Sequence, residues 1–213
     1  MTELAYAYLA PSDFAQRQGQ ADLSLATSGG LAPSGAVAHP FFFSGFVAQP
    51  AVVAQALLML ARVARTRFYV PPNTLAAVLR AADPVVTSTP EGLRFESFSV
   101  CCGVYARLDV DAAALDATHS APGVTNVDVN PPLRQALAGL RASEPLHLNV
   151  GNDAFQVATP AGEIIEEKVP LPTRWLKGFA ETQMLSASMT ARHELTGAAP
   201  VSYTHLTLPT KRI

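Results

Sequence analysis

An α+β fold, with antiparallel sheets packed against a few helices, is what this sequence predicts, on three observations. Short segments of alternating apolar and polar residues recur, as in Tyr105 to Val110 and Thr125 to Asn130. Three stretches, at about 50–65, 132–142 and 172–186, instead carry apolar residues at helical spacing. The links between neighbouring alternating segments are short and rich in turn residues, such as Pro90-Glu91-Gly92, Gly151-Asn152-Asp153 and Pro160-Ala161-Gly162. Such links join strands as hairpins, and hairpin strands are antiparallel.

Taken in order, residues 3–10 alternate and read as a strand, and the Ser/Gly/Pro-rich stretch 27–35 reads as loop. Residues 39–49 read as a strand that enters a helix at Pro50, since proline suits the first helical turn. That helix runs to about 65, and Val52, Val53, Ala56, Leu57, Leu60, Val63 and Ala64 cover most of its circumference, which predicts deep burial. A Pro-Pro break at 71–72 precedes a short helix at 74–82, and residues 85–98 form a hairpin about Pro90-Glu91-Gly92. In the strand 101–110, Cys102, Val104, Ala106, Leu108 and Val110 face one way, and Gly103, Tyr105, Arg107 and Asp109 the other. Strand 125–130 leads through Pro131-Pro132 into the second helix. Strands 146–150, 155–159 and 163–169 follow, then the third helix. The order strand, helix, three strands thus occurs twice, with Pro50 and Pro132 standing 82 positions apart. The expected division is a first α+β unit at 1–115 and a second at 116–200.

Composition excludes several function classes. Of 213 residues, 49% are hydrophobic and 15% charged, which argues for a packed core and against disorder. The net charge of −2 shows no global basic excess. The most apolar run, 51–64, is interrupted by Gln55 and Arg62 and falls short of the ~20 residues of a membrane span. The N-terminus has no basic region ahead of an apolar run, so no signal peptide is expected. The only cysteines, Cys101 and Cys102, are adjacent; on a strand they point to opposite faces, and a mutual disulfide is not expected. Such sparse usage suits a reducing cytoplasm.

Catalytic and metal motifs are not found. A nucleophile elbow needs Gly-x-Ser-x-Gly, and Phe43-Ser44-Gly45 does not supply it. Ser28-Gly29-Gly30 lacks the lysine of a phosphate loop. Cys101 and Cys102 with His39, His119, His147 and His193 lack zinc-ligand spacing. Two candidate surfaces remain. Each helix carries cations, Arg62 and Arg65, Arg134 and Arg141, and Arg174 and Lys177, which could neutralise a phosphate backbone. Cations at a helix end also simply complement its dipole. The alternative is an enzyme site on a polar sheet face holding Arg107, Asp109, Asn126, Asp128 and His147. An ordinary solvated sheet face has the same pattern, and only convergence in a pocket would separate the two.

The runs LRFESFSVCCGVYARLDV (93–110), TNVDVNPPLRQAL (125–137), PLHLNVG (145–151) and EKVPLPTRWLKGFAE (167–181) carry a resemblance. They resemble the N-terminal region of bacterial, mostly actinobacterial, SWIM zinc finger family proteins, from the first strand to about residue 190. The family's Cys-x-Cys…Cys-x-His motif, which serves DNA or protein interaction, has no counterpart here, so no zinc ligand is carried over to any residue. The resemblance implies a non-catalytic, cytoplasmic domain whose partner is nucleic acid or protein. Zinc is expected only in a C-terminal part of the parent chain. The closing VSYTHLTLPTKRI resembles translated adaptor from a transposon-based sequencing library, of the kind found at the ends of environmental gene fragments. Residues 201–213 are therefore expected to be non-native, and the native chain to be cut near Pro200, which would leave surface meant for the missing region exposed. The repeated unit with basic helices also resembles, in order alone, the domains of sliding DNA clamps.

Overall fold

The computed structural model describes residues 5, 6, 8, 10–66, 83–151, 169, 170, 173–192 and 194. The expected helix at 74–82, the strand at 155–159, most of that at 163–169, and the tail 201–213 lie outside them. The chain forms two compact units, Met1–Leu176 and Lys177–Ile213.

The first unit is α+β. Its strands are β1 (Ala5–Tyr6), β2 (Asp13–Arg17), β3 (Gln20–Leu25), β4 (Gly30–Ala32), β5 (Gly35–Val37), β6 (Phe43–Val47), β7 (Val85–Thr89), β8 (Gly92–Phe98), β9 (Tyr105–Asp111), β10 (Leu115–Ser120), β11 (Gly123–Asn126), β12 (Leu146–Val150) and β13 (Val169–Pro170). Helix α1 (Pro50–Arg65) follows β6, and α2 (Pro131–Ala138) follows β11. A third helix, α3 (Thr173–Ser186), starts in the first unit and continues into the second.

A five-stranded sheet has the order β10-β6-β12-β3-β2 and a six-stranded sheet the order β5-β4-β11-β7-β8-β9, while β1 pairs with β13. The described ladders are antiparallel with one exception: β12 enters between β6 and β3 and runs parallel to β3. The crossovers are reciprocal. Strand β6 of the five-stranded sheet leads through α1 to β7, β8 and β9 of the six-stranded one, and β11 of the six-stranded sheet leads through α2 back to β12.

One core joins all of this. Leu23, Phe43 and Leu148 from the first sheet pack with Val86, Leu93 and Phe95 from the second, with Val53, Leu57 and Leu60 of α1, and with Leu133 and Leu137 of α2. The expected boundary at 115 therefore cuts through both sheets: β10 pairs with β6 and β11 with β7. Helix α1 has the expected span with Pro50 in its first turn, and it buries Val53, Ala54, Leu57, Leu60, Ala61 and Ala64. Its burial is one-sided, however. Val52 is 57% and Met59 51% exposed, in a stripe shared with Gln55 and Arg62.

The adjacent cysteines also depart from expectation. They sit in a turn ahead of β9, not in the strand. Cys102 N–H donates to the Ser99 carbonyl and Ser99 N–H to the Val104 carbonyl, with Cys102 at φ 56°. Cys101 is exposed and the two thiols are not joined. From Tyr105 onward the alternation holds, with Val110 buried and Arg107 and Asp109 exposed.

Helix α2 depends on one side chain. Asn130 Oδ1 accepts from Leu133 N–H at 2.9 Å, and its Nδ2 donates to the Ser12 carbonyl and to Asp128 Oδ2, both at 2.9 Å. Asn130→Ala is expected to cost about 1–2 kcal/mol, because it removes the helix cap and leaves those two acceptors short of a donor. Urea unfolding followed by the fluorescence of Trp175, the single tryptophan, would measure this. Trp175 is buried edge-on to Phe98, with ring centroids 6.0 Å apart, so its emission reports the packed state.

Candidate functional site

Helices α1 and α2 pack side by side, and this brings cations from separate elements together. Arg62 and Arg65 occupy the last turn of α1. Arg62 is exposed and its Nη1 lies 3.9 Å from the Met59 sulfur. Arg134, on α2, is half-buried and donates through Nη1 to the Val129 carbonyl. Burial lowers the pKa of Arg134 and the positive field of Arg65 lowers it further, while Asp128 and Asp83 oppose both.

The remaining expected cations fall elsewhere. Arg141 lies beyond the end of α2 in an exposed turn, where the Glu144 carboxylate accepts its backbone N–H. Lys177 is exposed on α3 in the second unit. The side chain of Arg174 lies outside the described residues. Three of the six, Arg62, Arg65 and Arg134, thus lie on the packed helix pair, and the exposed stripe of α1 that ends at Arg62 also holds Val52, Gln55 and Met59.

The five residues expected on one polar sheet face do not converge, because they come from two sheets. Arg107 and Asp109 lie on β9, the edge of the six-stranded sheet, where Asp109 accepts from Arg107 at 2.6 Å and from Arg94 at 2.8 Å. Asn126 shares the row of Arg107 through Val85 and Glu96, but three strands away, about 14 Å at the ~4.8 Å spacing of neighbouring strands. It is buried rather than solvated. Asp128 lies past β11 and accepts from Ser12 N–H and Asn130 Nδ2, which makes it a tie between segments. His147 belongs to the five-stranded sheet.

The Arg94–Asp109–Arg107 group borders an open groove of about 430 Å³, lined also by Thr87, Thr89 and Glu91. Burial pushes Asp109 up, yet the hydrogen bonds and charges of Arg107 and Arg94 outweigh it and hold the carboxyl below its ordinary value. All three side chains are about half exposed, so solvent screens the pairs and they stabilise the fold little. Tyr105, beside them, donates its hydroxyl to Glu96. Burial first, then that hydrogen bond and the negative charge of Glu96, push the phenol well above its ordinary 10.0. An acid whose folded pKa is raised adds stability that is whole below the unfolded pKa and is lost as pH rises through the folded one. Urea midpoints are therefore expected to fall above about pH 10, and Tyr105→Phe to flatten that limb.

His147 has three polar side chains around its imidazole among the described residues. In the outward rows of the five-stranded sheet it stands between Asp22 on β3 and Phe46 on β6, and Asn149 stands between Ser24 and Ser44. His147 Nε2 is 3.3 Å from Ser44 Oγ. Its Nδ1 is 3.5 Å from Asp22 Oδ1 and 3.3 Å from Asn149 Nδ2. Gln20 Nε2 donates to Asp22 at 2.9 Å, and the Phe46 ring packs against the imidazole at 4.9 Å between centroids. Asp22 and Ser44 are not evident as site residues in the sequence. Alternation could turn both outward, but nothing local says that their strands flank β12.

Among the described residues no three His, Cys, Asp or Glu side chains gather as metal ligands, and no helix is long and apolar enough to cross a membrane. The fold and site define a two-sheet α+β domain with a basic helix pair and a separate polar sheet face. No family model, curated protein or solved structure matches this chain.

Proposed function

We propose that this chain is a cytoplasmic domain of a SWIM-type zinc finger protein that holds a nucleic-acid backbone through its helix pair. The observation that carries the reading is the packing of α1 against α2, which puts Arg62 and Arg65 in the last turn of one helix and Arg134 on the other. Guanidinium groups fixed by packing on two rigid helices engage phosphates without reading bases. The exposed Met59 beside Arg62, and Val52 farther along the same helix, give α1 an apolar part, which a protein partner would use instead. Zinc would be held outside these residues, by a Cys-x-Cys…Cys-x-His segment of the parent chain.

Binding to a short DNA duplex, measured across ionic strength, tests this. Three neutralised phosphates give a slope of log K against log salt of about −3. Arg62→Glu with Arg65→Glu is expected to abolish binding without changing the Trp175 emission. Salt-insensitive binding, or none at low salt, overturns the nucleic-acid reading. Reading the source DNA past the codon for Pro200 tests the family assignment separately: continuation into the zinc motif supports it, and an unrelated frame removes it.

A further inference from the structure

On the outer face of the five-stranded sheet a serine, an imidazole and a carboxylate follow one another in contact order. We propose that Ser44, His147 and Asp22 form a nucleophilic relay that attacks small activated acyl or phosphonyl esters. The order is that of an activated serine: a hydroxyl on one ring nitrogen and a carboxylate on the other. The distances, 3.3 Å and 3.5 Å, are loose, as is common in unliganded sites. His147 and Asp22 have 20% and 29% of their side-chain surface exposed, enough for a small substrate to reach them.

Two tautomers fit the geometry, and they differ in consequence. With Nδ1–H directed at Asp22, Nε2 offers its lone pair to the Ser44 hydroxyl and serves as base. With the Asn149 amide donating to Nδ1, the ring proton sits on Nε2 and Ser44 is passive. The hydrogen bond at Nδ1 in this structure is that of Asn149, at 3.3 Å; a small movement of the ring toward Asp22, 3.5 Å away, would exchange it for a stronger charge-assisted bond and give the first tautomer. Gln20 fixes the carboxylate and Phe46 the ring plane. In that state the Asn149 amide is released. Asn149 stands directly opposite Ser44 across the β6–β12 ladder, so its amide is a donor on the same sheet face as the attacking hydroxyl. The backbone offers little there, since β3, β6 and β12 are each paired on both sides.

The step balances within these groups. Ser44 Oγ attacks the ester carbonyl carbon as its proton passes to His147 Nε2. The bond to the leaving alkoxide breaks, and the alcohol departs with that proton. Water, deprotonated by the same nitrogen, then releases the acid and restores the hydroxyl. Ser44 and His147 are the catalytic residues, and Asp22 is a positioning residue.

The test is covalent labelling of the full chain with a biotinylated fluorophosphonate, in which Ser44 Oγ displaces fluoride, mapped by peptide mass and timed by intact mass. One adduct, on Ser44, is expected, and none with Ser44→Ala. His147→Gln and Asp22→Asn are expected to slow labelling at least tenfold, with Trp175 emission unchanged. Asp22→Glu, which keeps the charge, should label faster than Asp22→Asn, a difference that a merely structural aspartate would not produce. No adduct, an adduct on another serine, or labelling of His147→Gln at the wild-type rate overturns the proposal.

Discussion

Phe95→Ala is expected to lower the unfolding free energy by about 3–5 kcal/mol, the usual cost of emptying a buried aromatic site. Phe95 is fully buried, on β8 between β7 and β9, and shares its row with Val86 and Leu108. Helix α1 packs on β8 and β9, and both are held by ladders or by the one shared core, so the site cannot collapse far. A domain of ordinary stability has about 5–15 kcal/mol in all, so the variant should lie near its unfolding threshold. The urea midpoint, followed by Trp175 emission, measures the loss, and Phe95→Leu should recover more than half of it. A cost below about 1 kcal/mol would mean that the two sheets do not share this core.

Gly92→Ala is expected to cost about 3 kcal/mol or more, for two reasons that act together. Gly92 closes the β7–β8 hairpin at φ 139°, a backbone region that side-chain-bearing residues avoid at a cost of about 1–3 kcal/mol. A Cβ there would also overlap the Val110 carbonyl oxygen and lie 2.9 Å from Ala112 N, and both are backbone atoms that no rotamer change can move. Overpacking of this kind adds about 1–3 kcal/mol. Relief would require β9 to part from β8 at the Gly92–Asp111 pair. Amide exchange of β9 should therefore quicken selectively. Pro90→Ala, in the same turn but exposed, should cost much less.

The local elements were legible because their signals are local. Pro50 and the apolar spacing after it marked α1 from end to end, and Pro90-Glu91-Gly92 marked the hairpin. Pro131-Pro132 marked the start of α2, though the helix ends at Ala138 rather than near 142. Gly139 there has a near-helical φ of −90°, but its N–H turns back to the carbonyls of Ala136 and Leu137 and the chain leaves for β12. Cys101 and Cys102 misled because alternation was carried through a segment that turns back on itself before β9 begins. On α1, Val52 was read as core, yet nothing in a helical period says which apolar face finds no partner.

The candidate sites divide along the same line. The chain's own residues decided where helices begin, which strand faces are apolar, and that cations gather near the helix ends, because propensity, proline geometry and periodicity act within a few residues. They also decided that the alternating segments become strands. Which strand lies beside which was decided only by the fold. A hydrogen-bond ladder accepts any extended neighbour, and the selection comes from burying both sheets and two helices in one core. That selection scattered the set: Arg107 lies on the edge of the six-stranded sheet, Asn126 three strands inward, Asp128 past the end of β11, and His147 in the middle of the five-stranded sheet. It also set Ser44 against His147, 103 positions away in the chain, and His147 beside Asp22. The contact of Ser44, His147 and Asp22 is thus a product of strand order, which is a property of the packed molecule and not of any stretch of its residues.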